Sequence, residues 1–189
     1  MQLVVPSLDR LDAYADALRR GWSPDNVRLA EAAREELARI AADPAAFIAW
    51  LDDREARGGP IVLPDGSTVP RLPGFRRWMW DEGADGGFCG SIGFRWQPGT
   101  EALPAHCLGH IGYAVPEWKR GRGYASRALG LLLPAARQEG LRWVELTADP
   151  DNVASQKVIE RNGGVLVKRF FKEAAYGDAV EALLFRIDL

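Results

Sequence analysis

The sequence is poor in cysteine, in net charge and in long apolar runs, and each shortage excludes a class of protein. Its 189 residues contain two cysteines, Cys89 and Cys107, which lack the spacing of a zinc site or a disulfide framework. No apolar run approaches the roughly 20 residues of a membrane span. The N-terminus lacks the basic and apolar regions of a secretion signal. We therefore expect a cytoplasmic protein with free thiols and no membrane partner.

The charges of the chain nearly cancel, and its remaining composition is that of a globular protein. Lysine and arginine number 24 against 26 aspartates and glutamates, which gives a formal net charge of −2. This balance provides no general electrostatic attraction for nucleic acid. Hydrophobic residues make up 47% of the chain, and 189 residues are too few for two ordinary domains. We expect one domain over residues 1–189, without a nucleic-acid partner.

The spacing of apolar residues changes from helical to strand-like about a third of the way along the chain. A first strand at 3–5 precedes helical patterns at 8–20, 29–42 and 45–53, and Pro24 is placed to begin a helix. Later strands are predicted at 60–63, 68–72, 75–80, 88–96, 109–115, 143–148, 165–171 and 182–188, and later helices at 124–138 and 152–162. These patterns predict an α/β (α+β) fold, with a mixed central sheet of about six to seven strands flanked by helices.

The stretch from His110 to Gln138 is predicted to be a strand, a basic glycine loop and a helix beginning at Tyr124. Unpaired N–H groups and the macrodipole at a helix N-terminus favour an anion, and glycines allow the backbone to approach it. The spacing fits neither the P-loop, G-x-x-x-x-G-K-[ST], nor the dinucleotide fingerprint G-x-G-x-x-G. From spacing alone, the loop is either a phosphate site or a glycine turn with solvated basic side chains.

The residues VPEWKRGRGYASRAL, from Val115 to Leu129, resemble the acetyl-CoA-binding motif R/Q-x-x-G-x-G/A of the GNAT N-acetyltransferase family. Asn152-Val153-Ala154-Ser155 and the following helix resemble the second block of that family, at the family's separation of one helix and one strand. Together these blocks look like one bacterial group of GNAT proteins. The resemblance implies a GNAT-like fold, an acyl-CoA-binding core at about 109–167 and an acceptor-side portion at about 1–57.

The resemblance also implies which residues hold acetyl-CoA, the co-substrate, with no metal. The pantetheine arm would bind the strand backbone, the pyrophosphate the loop N–H groups, and the basic side chains the 3′-phosphate. The implied set is Ala114, Val115, Lys119, Arg120, Gly121, Arg122, Gly123, Tyr124, Ala125, Ser126, Asn152 and Ser155. A strand N–H near Val115 would stabilise the developing oxyanion.

Acetyl transfer to an amine requires a base, and His110 is the first candidate. Its unperturbed pKa of about 6.5 suits the role, and it shares a strand face with Gly112 and Ala114, which leave room for a ligand. The alternative is a structural, hydrogen-bonded histidine. Glu145 on a neighbouring strand is a second candidate base, although an outward-facing polar position is the favoured explanation for it. His106, in a proline-containing loop, is a weaker candidate than His110.

Three acidic residues of one glycine-rich turn, Asp81, Glu82 and Asp85, are solvated or attract a cationic amine. The tyrosine that serves the family as the acid for the leaving thiolate would align with Ile159, so this chain departs from the family there. Tyr113 or Tyr124 is then the candidate acid, unless water takes the role or the acid is absent.

The most favoured function is transfer of acetyl from acetyl-CoA to a primary amine of a small molecule or peptide, by direct attack in a ternary complex. A catalytically silent CoA-binding sensor or assembly module is the alternative, and the second block disfavours nucleotide binding without CoA. We expect the tryptophans at 22, 50, 78, 80 and 96 to shape the acceptor side or simply to pack. A homodimer is also considered, because the final strand ALLFRIDL would pair across it if exposed.

Overall fold

The computed structural model describes residues 1–83, 87–176 and 180–189. Its α-helices are α1 (Leu11–Arg19), α2 (Leu29–Ala42), α3 (Pro44–Trp50), α4 (Tyr124–Gln138) and α5 (Val153–Glu160). Its strands are β1 (Gln2–Val4), β2 (Asp52–Asp53), β3 (Ile61–Val62), β4 (Thr68–Val69), β5 (Gly74–Trp80), β6 (Phe88–Arg95), β7 (Ile111–Ala114), β8 (Trp143–Ala148), β9 (Val165–Phe171) and β10 (Glu181–Asp188). Short 3₁₀ turns lie at Leu8–Arg10, Glu117–Lys119 and Ala174–Tyr176.

The strands form two sheets and a small hairpin. One sheet has the order β1-β5-β6-β7, with β2 also paired to β5, and the other has the order β8-β10-β9. Strands β3 and β4 form the hairpin predicted around the Asp-Gly turn. The α/β fold with flanking helices is thus confirmed. The predicted single sheet is divided, because β7 and β8 are neighbours that do not share a ladder.

Each face of the first sheet covers a separate core, because side chains alternate along its strands. Phe75, Ile92 and Ile111 pack with α4 in the larger core, and we call their side of the sheet the α4 face. Trp78, Phe88 and Ala114 point the other way, towards α1, and we call that side the α1 face. Strand β7 contributes to both cores, with Ile111 on the α4 face and Ala114 on the α1 face.

The helix predicted to begin at Pro24 begins instead at Leu29, so that prediction was wrong. The carboxylate Oδ1 of Asp25 accepts hydrogen bonds from the N–H groups of Val27 (2.8 Å) and Arg28 (2.9 Å). A short polar side chain that bonds the backbone two residues ahead favours a turn over a helix. The segment between α1 and α2 is therefore a loop, and it reaches the edge of β7.

The final strand does not form an exposed edge. Strand β10 lies between β8 and β9 and pairs with both, so the hypothesis that its backbone pairs across a dimer was wrong. Burial of alternate residues explains this position, since Leu183, Phe185 and Ile187 belong to the larger core. Within the described ranges, no helix has the length and apolar character needed to cross a membrane.

Candidate functional site

The candidate site is the cleft that opens where β7 and β8 diverge. A strand–helix–strand crossover through α4 joins these neighbouring strands. The residue just before β7 is bonded to β8: the His110 N–H donates to the Glu145 carbonyl at 2.7 Å, and the Glu145 N–H donates to Nδ1 of His110 at 2.9 Å. His110 therefore joins the two sheets at the closed end of the cleft.

The open edge of β7 presents the backbone of Tyr113 to this cleft. The Arg95 N–H donates to the His110 carbonyl at 2.9 Å, and hydrogen-bonded pairs alternate along an antiparallel ladder. In this register, the backbone N–H and C=O groups of Gly112 and Ala114 point towards β6, and those of Tyr113 point away from it. In agreement, the Tyr113 carbonyl accepts a hydrogen bond at 3.2 Å from Nδ2 of Asn26, on the α1–α2 loop. The edge implied for Ala114 is thus provided by Tyr113.

The glycine loop leads directly into the uncovered N-terminus of α4. Gly121 and Gly123 both have a φ of 76°, a left-handed conformation that favours glycine, and a Cβ at either would meet nothing within 4 Å. Gly123 is the N-cap residue and supplies no capping side chain. The first turn of a helix leaves its N–H groups without partners inside the helix, and at α4 these groups belong to Tyr124, Ala125 and Ser126.

The three basic side chains of the loop differ in exposure. Arg120 and Arg122 are exposed, whereas Lys119 is only 3% exposed and lies beneath the loop near Cys89. Arg120 folds back towards Glu117, with an Nη1–Oε1 distance of 3.5 Å. Of these three side chains, the two arginines present charge to the solvent beside the α4 N-terminus, as does Arg127 in the first turn of α4.

The second block forms the opposite wall of the cleft. Asn152 is the N-cap of α5, and its Oδ1 accepts the Ser155 N–H at 3.1 Å. The Ser155 hydroxyl lies 2.7 Å from the hydroxyl of Tyr113, which reaches across from β7. Burial raises the pKa of Tyr113 to about 12, so the phenol keeps its proton at neutral pH. Ile159, where the family's tyrosine would stand, is fully buried in the larger core.

Tyr124, the other candidate acid, points away from Ser155. Its hydroxyl donates to Oδ2 of Asp81 at 3.0 Å, and burial is the main cause that raises its pKa to about 12. Asp81 and Glu82 line a depression of about 480 Å³ beside Arg127 on α4. Asp85, grouped with them from the sequence, lies outside the described residues. The structure thus places two of these acids beside α4 rather than beside Glu145.

The environment of His110 is that of a buried structural side chain. His110 has no exposed surface, and burial lowers its pKa. Because Nδ1 accepts a backbone hydrogen bond, the neutral imidazole carries its proton on Nε2. Among the described residues, Nε2 has no hydrogen-bond partner. The basic nitrogen is therefore already occupied by the contact that closes the cleft.

Glu145 and His106 have different surroundings. The Glu145 side chain is 17% exposed, and its Oε1 accepts from Nη2 of Arg186 at 2.9 Å. Arg186 also covers the ring of Trp143, with its Cζ 3.9 Å from the ring centroid. His106 contributes its carbonyl, which accepts the Tyr176 hydroxyl at 2.8 Å.

The α1 face carries an aromatic cluster beside the cleft. Trp22, Trp78 and Phe88 pack around Tyr14, with Tyr14 and Trp78 stacked at 4.8 Å between ring centroids. Trp50 and Trp80 pack at the margin of this cluster. Trp96 belongs to the core on the α4 face, stacked on Phe94 at 5.1 Å, so for this tryptophan the packing alternative is confirmed.

One polar cluster on the same face was missed from the sequence. Nη1 of Arg76 donates to Oε1 of Glu36 at 2.8 Å and to the Tyr14 hydroxyl at 3.1 Å, and Tyr14 also bonds Glu36. Glu36 is only 5% exposed. The signal was an acid set within the apolar stripe of α2, three residues after Ala33 and four before Ile40. In the described part of the chain, no group of three or more His, Cys, Asp or Glu residues is suited to hold a metal ion.

Comparison with known proteins identifies the family. Residues 20–165 match the family model described as the acetyltransferase (GNAT) domain. No curated protein matches the sequence significantly. Several solved structures share the fold. RimL, an α-N-protein acetyltransferase of a ribosomal protein solved with coenzyme A, is 17% identical with a TM-score of 0.62, over 99% of this chain and 93% of its own.

Two more solved structures have the same architecture. The microcin C7 self-immunity acetyltransferase MccE, solved with acetyl-CoA and AMP, is 13% identical with a TM-score of 0.62, over 99% of this chain and 91% of its own. A GNAT-family acetyltransferase from Bacillus anthracis is 16% identical with a TM-score of 0.58, over 100% of this chain and 95% of its own. The family model spans most of the chain, including the glycine loop and α5. The chain belongs to the GNAT acetyltransferase family.

Proposed function

We propose that this protein transfers the acetyl group of acetyl-CoA to a primary amine within a ternary complex. The observation that carries the proposal is the order of three features along one stretch of chain: the edge strand β7 with the backbone of Tyr113 turned away from β6, the glycine loop, and the N-terminus of α4 without a side-chain cap. An extended arm ending in a pyrophosphate needs these features in this order. The family assignment and the CoA ligands of RimL and MccE support the choice of ligand.

The residues present fit such a ligand. The first-turn N–H groups of α4 would bind the pyrophosphate, with Arg120 and Arg122 supplying charge from the rim. Gly121 and Gly123 leave the approach clear, because neither carries a side chain and each has open space where a Cβ would stand. Ser155 would face the arm from α5. When bound, acetyl-CoA supplies an activated thioester, and the protein has to hold an amine against it and move two protons.

Glu145 is the better supported base for the amine. Its carboxylate is partly exposed and ion-paired with Arg186, and it faces away from the core on the α4 side, which takes the neighbouring Val144 and Leu146. His110, the base predicted from the sequence, would have to release the backbone hydrogen bond that joins the sheets before its Nδ1 accepted a proton. We therefore assign His110 the role of holding β7 and β8 together. Glu145 takes the amine proton, directly or through water.

Tyr113 is the better supported acid for the leaving thiolate. Its pKa of about 12 leaves the hydroxyl protonated near neutral pH, and Ser155 holds it at the cleft, 2.7 Å away. Tyr124 is less suited, because its hydroxyl already donates to Asp81. We assign Tyr113 the role of the family's tyrosine, because position 159 holds a buried isoleucine.

The acceptor is a primary amine of a small molecule or a peptide. RimL is an α-N-protein acetyltransferase of a ribosomal protein and MccE is a microcin C7 self-immunity acetyltransferase, so the shared fold does not by itself select the acceptor. Within this proposal, residues 1–57 form much of the acceptor side and residues 109–167 bind the cofactor. The chain acts as a single domain.

Thiol release from acetyl-CoA tests the proposal. The purified protein is incubated with acetyl-CoA and, in turn, glycinamide, a serine-initiated peptide, spermidine and kanamycin. We expect saturable, protein-dependent thiol release with at least one amine, and a product heavier by one acetyl group. Tight CoA binding without turnover of any amine would support the alternative, a silent CoA-binding module, for which the isoleucine at position 159 is the one favouring feature.

A further inference from the structure

Two glycines stand opposite each other in the middle of the β6–β7 ladder without a reason in the fold. Gly93 pairs with Gly112, and the ladder around them has no bulge. Glycine weakens a strand interior, where it usually marks a bulge, a bend or the close approach of another backbone or a ligand. Neither glycine has the left-handed φ that would require it.

Steric crowding does not explain these glycines either. A Cβ on Gly112 would meet nothing within 4 Å, and a Cβ on Gly93 would meet its nearest atom, the Phe75 carbonyl oxygen, at an ordinary 3.7 Å. Other glycines of the sheet differ sharply. A Cβ on Gly90 would lie 2.4 Å from the Ala114 carbonyl oxygen, and one on Gly109 would lie 2.9 Å from that of Glu145. Gly90 and Gly109 serve the fold, whereas Gly93 and Gly112 do not.

The pair lies on the α1 face, at the place where the aromatic cluster stops. Gly112 alternates with Ile111 and so faces the same side as Ala114. The next row of that face, formed by Trp78, Ser91 and Ala114, is buried beneath α1 and its aromatic neighbours, whereas Gly112 is exposed and Gly93 half-buried. Gly93 and Gly112 together form a patch of backbone without side chains, which we call the glycine floor.

The backbone of Glu145 contacts the chain two residues before Gly112. His110 touches Glu145 at the closed end of the cleft, and Gly112 is two residues further into the cleft on the same strand. Tyr113, between Gly112 and Ala114, gives its backbone to the cofactor edge of the cleft. A molecule on the glycine floor would therefore have Glu145, the proposed base, on one side. Beneath it would lie β7, the strand that would hold the thioester.

We infer that Gly93 and Gly112 form the floor of the acceptor site, and that the carbon bearing the reacting amine packs directly on Gly112 beside Glu145. This inference rests on the proposed acetyl transfer. It assigns the α1 face to the acceptor and the open edge of β7 to the cofactor. The two missing side chains leave room for an amine whose own carbon is substituted, as in a peptide or an amino-acid amide.

Alanine and valine at Gly112 test the inference, with Gly59→Ala as the matched control. A Cβ on Gly59 also meets nothing within 4 Å, and that residue lies in the loop before β3. We expect Gly112→Ala to raise Tm by about 1–4 °C, because alanine restricts the unfolded chain and fits the folded one. Its Kd for CoA should stay within about twofold of wild type, since the pantetheine lies along the edge rather than the face.

Turnover should fall while stability rises. For amines that the wild type acetylates in the panel of glycinamide, the serine-initiated peptide, spermidine and kanamycin, we expect kcat/KM to drop about 10-fold in Gly112→Ala. Gly112→Val should lose about 100-fold, and Gly59→Ala should match the wild type. A Gly112→Ala protein that is less stable than wild type, that loses CoA affinity in parallel, or that keeps full kcat/KM would overturn the inference. Absence of wild-type turnover would instead count against the proposed function itself.

Discussion

The two sides of strand β7 are built in different ways. On the cofactor side, the edge of Tyr113, the glycine loop and the N-terminus of α4 come from one continuous stretch of about fifteen residues, and backbone groups provide most of the contacts. On the acceptor side, the α1 face is assembled from side chains that lie far apart in the sequence. Tyr14, Glu36 and Arg76 meet there, with partners separated by 22 to 62 residues.

The two sides therefore differ in how they recognise their ligands. Backbone N–H groups and a helix dipole recognise a pyrophosphate whatever side chains surround them. An acceptor must be recognised by shape and charge, and these depend on the particular residues of the α1 face. We therefore expect substitutions on the cofactor side to act through acetyl-CoA affinity, and those on the acceptor side to act through turnover or stability.

The largest effect is expected at the glycine loop. Gly123→Trp would place a bulky side chain at a left-handed backbone position and fill the approach to the α4 N-terminus. We expect CoA affinity, measured by isothermal titration calorimetry, to fall at least about 100-fold. Gly140→Ala is the control, because Gly140 has a similar positive φ of 86° and no nearby atoms but lies beyond the other end of α4. An equal loss of CoA affinity in both variants would mean that backbone strain, rather than the filling of the phosphate site, causes the loss.

The base assignment gives the next largest effect. Glu145→Gln keeps the side-chain size and removes the proton acceptor, so we expect kcat to fall about 100-fold with little change in CoA affinity. His110→Asn, whose Oδ1 still accepts the Glu145 N–H, should retain most of the activity. Steady-state kinetics on both variants decide between the two residues. If His110→Asn is the inactive variant, the base predicted from the sequence is correct and Glu145 is not the base.

The polar cluster beneath α2 should show how much stability the acceptor side depends on. Glu36→Gln removes the charge that faces Arg76 and leaves that guanidinium poorly compensated, so we expect a loss of about 3 kcal/mol in the free energy of unfolding. Urea denaturation measures it. Glu35→Gln, on the preceding position of the helix, alters a surface pair with Arg28 and should cost less than about 1 kcal/mol. Similar losses of unfolding free energy in both variants would show that the cluster stabilises the protein no more than a surface ion pair does.

Substitutions of Tyr113 and Tyr124 should change different kinetic parameters. Tyr113→Phe removes the proton donor held by Ser155, and we expect kcat to fall about 10-fold at unchanged CoA affinity. Tyr124→Phe removes the contact with Asp81 at the glycine loop, so its effect should appear in the KM for acetyl-CoA. A reversal of these two patterns would move the acid from Tyr113 to Tyr124.

The smallest effect concerns pH and His110. Burial lowers its pKa in the folded protein below the unfolded value of about 6.5, so the unfolded chain binds more protons in that range. The stabilising contribution of the neutral side chain is therefore fully present above about pH 6.5 and is lost as the pH falls towards the folded pKa. Chemical denaturation of wild type and His110→Asn at pH 7.5 and pH 5.5 measures it. We expect the wild type to lose more stability than the variant between these two pH values, and equal losses would exclude His110 as the cause.

The same contrast explains how much the sequence predicted. Helix α4 and strands β8 and β9 have the predicted bounds, because apolar periodicity, a glycine start and glycine ends are local signals. The glycine loop was recognisable for the same reason. The helical pattern at 29–42 coincides with α2, whereas the start signal at Pro24 was wrong, since the side chain of Asp25 bonds the backbone and overrides the favourable position of Pro24.

The acceptor side was less predictable because its contacts are non-local. Spacing gave Trp22 and Trp96 the same expected role, yet their strands and loops place them in different cores. Likewise, Gly112 was expected to leave room for a ligand, but its partner Gly93 becomes apparent only through the register of β6 and β7. His110 was a reasonable base from its residue type and strand face. Only its contact with the Glu145 backbone reveals that it joins the sheets.

A crystal structure of the protein with acetyl-CoA tests the central claim most directly. We predict that the pyrophosphate lies on the first turn of α4, that the pantetheine bonds the backbone of Tyr113, and that the acetyl group ends beside Gly112 on the side of Glu145. Electron density for acetyl-CoA elsewhere on the chain, or with its acetyl group turned away from the α1 face, would contradict this account.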